Sequence, residues 1–177
     1  EVPNYGFPVQ SIASGDLDGD GTNEIAFGFV DLYSSDPDIT VVEATDGTIK
    51  SHLTLSPVPY ELTAIGDIDG NGRLEIVAAT TGYTGALEVF DLSSGRSLWR
   101  KFYSQLASGN LLGSVNAMAL AKRNGHPGLD IVLAGGRVLA IDGLTRETRV
   151  ATGPPYPYYI SDMVVVDYDQ DGIEDFA

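Results

Sequence analysis

The chain has 177 residues and a formal net charge of −15, with 43% hydrophobic residues and no cysteine. This apolar content is enough to build a core in one array rather than in two domains. The charge is expected to repel nucleic acid and anionic membranes, no apolar run is long enough to span a bilayer, and disulfide bonds are excluded.

Strand-like runs and acidic loops alternate along the chain. The same loop pattern occurs three times, with oxygen side chains at positions 1, 3 and 5, a glycine at position 6 and a carboxylate at position 9, in residues 16–24, 67–75 and 167–175. Crowded carboxylates repel one another unless a cation neutralises them, and hard oxygen ligands suit Ca²⁺. The glycine permits the sharp turn that wraps a loop around one ion. Three calcium sites are predicted, with solvated acidic turns that hold no metal as the alternative.

The loops do not fit the EF-hand motif. That motif needs a glutamate at position 12 between two helices, whereas position 12 is Phe27 in the first loop and Ala78 in the second. The segments that follow the loops have the pattern of strands.

The spacing of the loops indicates a repeat of about 50 residues. Asp16 and Asp67 are 51 residues apart, and Asp67 and Asp167 are 100 apart, so one copy is expected between them. A degenerate copy at 122–130 keeps Asp130 at position 9 but has Lys122 at position 1. We predict that this third loop binds no metal and that the Lys122 ammonium, beside Asp130, takes the place of the ion. In the alternative, Lys122 points into solvent.

A predicted β-hairpin follows each of the first three loops, at 39–49, 87–99 and 138–146. With the strands on either side of the loop, four antiparallel strands per repeat result, which is typical of a β-propeller blade. The predicted fold is therefore an all-β, incomplete β-propeller of about three and a half four-stranded blades, with limits at 9–55, 60–104, 113–151 and 160–177. Segments rich in proline and tyrosine at 3–8, 57–60 and 154–159 are predicted connections, because proline is excluded from central strands.

The loops and the strands after them resemble FG-GAP repeats (also called VCBS repeats), the calcium-binding blades of integrin α-subunit head propellers and of many microbial surface proteins. The resemblance covers essentially the whole chain, and it implies side-chain ligands at positions 1, 3, 5 and 9 with a backbone carbonyl at position 7. The implied calcium ligands are Asp16, Asp18, Asp20, Thr22 and Glu24; Asp67, Asp69, Asn71, Arg73 and Glu75; and Asp167, Asp169, Asp171, Ile173 and Asp175. Glutamate at position 9 of the first two loops departs from the aspartate usual in the family.

The predicted function is that of a calcium-stabilised extracellular or cell-surface module that serves adhesion, surface or structural assembly by binding protein or glycan at its loop rim, without catalysis. Loops of modest affinity fill where calcium is near millimolar, which is outside the cell. The sequence contains no nucleophile elbow, phosphate loop or zinc spacing. Two enzyme alternatives stay open, since the loops and hairpins resemble parts of rhamnogalacturonan lyases and the hairpin at 91–99 resembles those of quinoprotein dehydrogenases.

Further blades are expected to complete the propeller. The chain begins at Glu1 without a methionine and stops within its fourth repeat, so we expect a processed or excised piece. Because closed propellers have at least four blades and open strand edges invite aggregation, the missing blades are expected in the same polypeptide or in another chain. Three calcium ions would still leave a net charge of −9, so neither nucleic-acid binding nor membrane insertion is expected.

Overall fold

Short alternating runs of apolar and polar residues form strands throughout the part of the chain that the structure describes. The structure is a computed structural model, and it describes residues 9–29, 38–54, 61–81, 85–106, 115–123, 125–150, 160, 162–169 and 174–176. Within these ranges there are fourteen strands and one four-residue helix, α1 (Tyr103–Leu106). None of the helical structure in these ranges is long and apolar enough to cross a membrane. The predicted all-β class is confirmed.

The strands form three four-stranded antiparallel sheets, here called blades one to three, in which each strand pairs with the next along the chain. Blade one contains β1 (Val9–Gly15), β2 (Glu24–Phe29), β3 (Asp38–Glu43) and β4 (Ile49–Thr54). Blade two contains β5 (Leu62–Gly66), β6 (Glu75–Ala79), β7 (Ala86–Asp91) and β8 (Arg96–Phe102). Blade three contains β9 (Ala117–Lys122), β10 (Leu129–Ala134), β11 (Val138–Asp142) and β12 (Thr148–Val150).

A two-stranded antiparallel sheet of β13 (Val165–Val166) and β14 (Asp175–Phe176) follows blade three. The predicted connections at 3–8, 57–60 and 154–159 lie outside the described residues. The predicted blade limits stay a prediction, because most of their ends also fall outside the described ranges.

The central strands of blade two are buried on both faces, because a neighbouring blade covers each face. Successive side chains of a strand point to opposite faces. Ile76 and Phe90 therefore join the core shared with blade one, whereas Val77 and Val89 join the core shared with blade three. This double burial explains why β6 is a continuous apolar run after its first residue rather than an alternating one.

The acidic loops are themselves part of the packing between blades. The residue at position 2 is buried in the first two loops, where Leu17 is 5% exposed and Ile68 1% exposed. The Leu129 amide of blade three donates a hydrogen bond to the Asp67 carbonyl at 3.1 Å. In the fourth loop the residue at position 2 is Tyr168, which is 85% exposed. Loop geometry and blade packing are therefore coupled at the junction of blades two and three.

Replacing the residue at position 2 is expected to lower the stability of the protein in the second loop but hardly at all in the fourth. Ile68→Ala should lower the free energy of unfolding by about 2–5 kcal/mol, because it leaves a cavity between blades two and three. Tyr168→Ala, the matched control at the same loop position, should change it by less than about 0.5 kcal/mol in this chain. Urea unfolding followed by circular dichroism measures both. Equal losses in the two variants would contradict this account of the packing.

Candidate metal centres in the blade loops

The first loop (16–24) and the second loop (67–75) share most of their internal hydrogen bonds. The Gly19 and Gly21 amides donate to the two carboxylate oxygens of Asp16 at 2.8 and 3.0 Å. In the second loop, Asp67 accepts the corresponding bonds from the amides at positions 4 and 6, also at 2.8 and 3.0 Å. The glycines at positions 4 and 6 have positive φ angles in both loops, which a side chain would strain. The backbone therefore curls around the carboxylate at position 1.

The glutamate at position 9 closes each loop from the far side. Glu24 Oε2 accepts the Leu17 amide at 2.7 Å, and Glu75 Oε2 accepts the Ile68 amide at 2.8 Å. Both glutamates are buried. The other oxygen of the first one, Glu24 Oε1, has no hydrogen-bond partner among the described residues. One carboxylate oxygen thus holds the loop, while the second is left for a cation.

The structure brings together the carboxylates at positions 1, 3 and 9. Carboxylate oxygens of Asp16, Asp18 and Glu24 lie within 4.8 Å of one another, and the second loop groups its corresponding three carboxylates in the same way. Either cluster could hold a metal ion. The side chains at position 5, Asp20 and Asn71, accept backbone bonds from position 7 at 2.8 Å. The assignment of positions 5 and 7 as ligands stays a prediction.

A second acidic residue, outside the site predicted from the sequence, lies beside position 9 in each blade. Glu24 pairs with Glu43 across β2 and β3, and Asp130 pairs with Asp142 across β10 and β11. In blade two, Ile76 pairs with Phe90. Glu75 precedes Ile76 and Asp91 follows Phe90, so these two acids lie opposite each other as well. The sequence contains a sign of this second acid, because these acids occupy equivalent positions in the three predicted hairpins.

A lysine ammonium lies against the acids of the first loop. Lys50 Nζ is 3.0 Å from Asp18 Oδ2 and 3.1 Å from Glu43 Oε2. It is also 3.7 Å from Glu24 Oε1 and 3.8 Å from Asp20 Oδ2. Hydrogen bonds to Asp18 and Glu43 raise the pKa of Lys50 above its ordinary value. The lysine lies on the predicted outer strand, and its sequence position gave no sign that it reaches the loop.

The second acidic cluster has no such partner. Among the described residues, no Lys, Arg or His nitrogen lies within 4.0 Å of the carboxylates of Asp67, Asp69 or Glu75. Burial, together with the charges of Asp69, Asp67 and Asp91, raises the pKa of Glu75 to about 7. A pocket beside this cluster is lined by Leu98 and by Arg146, whose guanidinium carbon lies 6.0 Å from the centre of the Trp99 ring. Among the described residues, the carboxylates of the second loop therefore have no ion-pair partner within 4.0 Å.

In the third loop (122–130) the cations come from the protein itself. Arg123 Nη2 lies 2.7 Å from Asp142 Oδ2 and 3.6 Å from Asp130 Oδ1. His126 Nε2 lies 3.2 Å and Arg149 Nη2 3.5 Å from the same Asp142 oxygen. Three basic side chains thus lie against the buried Asp142, and Arg123 also pairs with the buried Asp130. His126, Asp130 and Asp142 also bring ligand atoms within 4.8 Å of one another, as a metal site would, but Arg123 already contacts both acids. The absence of a metal from this loop stays a prediction.

The prediction that Lys122 replaces the ion is wrong. Lys122 is exposed and makes no ion pair with Asp130; Arg123 makes it instead. In blade one the first strand ends at Gly15, but here β9 continues through Lys122. Ala121 is the cross-strand partner of Asp130, so Lys122, the next residue, points to the opposite face of the sheet. Arg123, one residue further on, is directed back towards the acids.

The fourth loop (167–175) is described only in part. Asp167 and Asp169 lie within the described residues, whereas Asp171 and Ile173 lie outside them. The backbone of Asp175 pairs with Val166, as Glu24 pairs with Gly15 in blade one. The register at position 9 is therefore kept, and the ligand assignment in this loop stays a prediction.

Comparison with known proteins identifies the fold. No protein-family model matches the chain, and no curated protein matches it either. A solved structure of the Dos1 propeller is similar to it, with a TM-score of 0.53 and 9% sequence identity, over 97% of this chain and 54% of that chain. The chain thus spans about half the length of that structure's chain. At this identity the likeness shows the fold alone, and it confirms a β-propeller with an incomplete set of four-stranded blades.

Asp142 is expected to make the protein sensitive to acid. Burial alone raises the pKa of Asp142, but hydrogen bonds from Thr145 and Arg123 and the nearby His126 outweigh it and hold the pKa at about 2, below the ordinary 3.8. As the pH falls, the unfolded chain therefore takes up the proton first. The stabilisation from Asp142 is complete above about pH 4 and is lost as the pH falls through about 2.

Asp142→Asn should remove this part of the pH dependence and lower stability at pH 7. Urea unfolding between pH 2 and 7 measures the effect, with Asp162→Asn, at an exposed position, as the control. An unchanged pH profile in Asp142→Asn would show that the carboxylate does not hold its charge through these bonds.

Proposed function

We propose that this chain is part of a calcium-stabilised extracellular β-propeller that binds protein or glycan partners at its loop rim. The observation that carries the proposal is the second loop. There, Asp67, Asp69 and Glu75 converge with no basic side chain within 4.0 Å among the described residues. Burying several carboxylates together is unfavourable unless a cation neutralises them.

The donor atoms fit a hard divalent cation. In the first and second loops every clustered ligand is an oxygen, with no histidine or cysteine, and such sets suit Ca²⁺ or Mg²⁺ rather than zinc or copper. Glu24 adds a second indication, because it is fully buried and its Oε1 atom accepts no hydrogen bond among the described residues, although the Lys50 ammonium lies 3.7 Å away. The number of oxygens in each loop favours Ca²⁺, which accepts about six to eight oxygen ligands, over Mg²⁺, which requires a tighter octahedron.

The resemblance to FG-GAP repeats supports the same metal. It supplies the backbone carbonyls of Thr22 and Arg73 as further ligands and extends the proposal to the fourth loop. The third loop is proposed to be metal-free, because Arg123 already lies against Asp130 and Asp142. Calcium loops of modest affinity suit the millimolar calcium outside the cell, which supports an extracellular or surface location.

The loop rim is the proposed site of recognition. Each acidic loop joins the first and second strands of its blade, so the loops share one edge of the stacked sheets. A cavity of about 330 Å³ lies between the first two loops and is lined by Asp18, Arg73, Asp91 and Ser93 among others. Recognition in proteins built on rigid sheets usually falls on such loops. Bound calcium would lower the negative potential of this rim and hold its shape for a partner.

Further blades are proposed to cover the two ends of the array. Ile12 on β1 and Val164, Val166 and Tyr168 near β13 are exposed apolar residues at opposite ends of the described blades. At the junctions between the described blades, by contrast, apolar residues are buried in the shared cores. Blades from the same polypeptide or from another chain would remove this exposed apolar surface from water.

Calcium binding is expected to depend on the second loop. Calorimetry on the folded, chelator-treated chain should detect Ca²⁺ uptake that Mg²⁺ does not match. Asp67→Ala combined with Asp69→Ala should remove one binding event, because it deletes two of the three clustered carboxylates. Glu147→Gln, which removes an exposed acid from a hairpin turn, is the control and should bind as the parent does. Uptake unchanged by the double substitution would contradict the proposed site.

Calcium is also expected to raise thermal stability. An ion that binds only the folded state stabilises it by about 2.7 kcal/mol per site at a hundredfold excess over Kd. Addition of EGTA should therefore lower the melting temperature measured by circular dichroism. A melting temperature that is the same with excess calcium and with EGTA would mean that the loops fold without the ion.

A further inference from the structure

Resting on the calcium function proposed above, we infer that Lys50 is a built-in competitor for the cation of the first loop. The first and second loops, which have almost the same ligands, would then fill at different calcium concentrations. Lys50 Nζ lies within 4.0 Å of Asp18, Asp20 and Glu24, which are three of the four carboxylates predicted to bind the ion. A fourth acid, Glu43, lies 3.1 Å from the same ammonium, so an incoming ion would meet Lys50 among its ligands.

A β-bulge directs this lysine to the loop. In blade one, Val41 pairs with Ser51 and Val42 with Ile49, so Lys50 is the extra residue of β4. Bulges re-aim the side chain of the extra residue, and they are frequent beside functional sites. The bulge interrupts the alternation of side chains between the two faces of the sheet. It thus places Lys50 on the side where the acidic loop lies.

Blade two has the same bulge with a different residue. Val89 pairs with Trp99 and Phe90 with Ser97, so Leu98 is the extra residue of β8. The turns before both bulges contain a glycine with positive φ, Gly47 in blade one and Gly95 in blade two. Lys50 and Leu98 are therefore equivalent positions in two copies of one unit. Leu98 lines the pocket beside the second cluster but brings no charge to it.

Competition between the Lys50 ammonium and the cation sets the order in which the loops fill. An ion that enters the first loop must displace the ammonium and then remain near a displaced like charge, whereas the second loop imposes neither requirement. The second loop fills first as calcium rises, and the first loop fills later. Until then the Lys50 ammonium keeps the first loop ordered. Filling of the first loop also moves one ammonium group away from the acids, so the distribution of charge at the rim changes in addition to the charge that the ion brings.

The reciprocal substitutions Lys50→Leu and Leu98→Lys test this inference in the full chain. Backbone amide resonances of Gly21 and Gly72 report the two loops separately, because these amides bond to the carboxylates at position 1. In the parent, the Gly72 signal should shift at lower calcium than the Gly21 signal. Lys50→Leu should lower the midpoint at Gly21 by about tenfold or more, and Leu98→Lys should raise the midpoint at Gly72 by a similar factor.

Two further measurements separate competition from a merely structural role. Without calcium, Lys50→Leu should melt at a lower temperature than the parent, because it leaves the acids of the first loop without a counter-charge. With saturating calcium this difference should shrink or reverse. Arg96→Leu, which removes an exposed positive charge from β8, is the control and should move neither midpoint. Far-UV circular dichroism checks that each variant is folded.

The outcomes distinguish failure of this inference from failure of the calcium function. If neither glycine signal shifts with millimolar calcium in the parent or in any variant, the calcium function itself is wrong. If both signals shift in the parent but Lys50→Leu leaves the Gly21 midpoint unchanged, calcium binding stands and the competition is overturned. If the Gly72 midpoint is unchanged in a folded Leu98→Lys variant, the competition is also overturned. This second test does not depend on the stability of blade one.

Discussion

The need to neutralise crowded carboxylates governs the structure of these blades. Each blade places an acid at position 9 of its loop opposite a second acid on the third strand, so like charges meet at the buried start of the second strand. The three complete blades meet this constraint in three ways. Blade three uses Arg123 and Arg149, blade one uses Lys50 from a bulge, and the loop carboxylates of blade two have no basic side chain within 4.0 Å among the described residues. The need for an external cation therefore differs between copies of one unit.

The same loops connect charge to packing. The amide at position 2 binds the glutamate at position 9, while the side chain at position 2 fills the space between blades. A change at the acidic cluster consequently reaches the core through one residue, Leu17 or Ile68. Repulsion among the acids would loosen the closure of the loop and, with it, the contact between blades. Neutralisation of the cluster and stacking of the blades are thus mutually supporting.

The sequence was sufficient for the fold because each strand and turn has a local signal that repeats with one period. Alternation predicted the strands, and the spacing of Asp16 and Asp67 predicted the repeat, so the four-stranded meander follows from local rules. The grouping of positions 1, 3 and 9 was also readable from the loop. The cations were not, because they depend on register. Lys50 reaches the loop only through a bulge, and Lys122 is directed away because β9 continues one residue further than β1 does. Neither detail alters the hydrophobic pattern from which the strands were predicted.

Arg123 has a mechanical consequence. At position 2, where the first two loops insert Leu17 and Ile68 between blades, the third loop inserts a side chain that is engaged with Asp142. Among the described residues, the buried members of the core between blade three and the last sheet are Ala121, Val132 and Ala140. In stacked repeats each unit depends on its neighbours, so resistance to a pulling force is set by the weakest junction. Under tension along the chain, the junction after blade three lacks the buried apolar residue at position 2 that Leu17 and Ile68 supply to the two junctions before it.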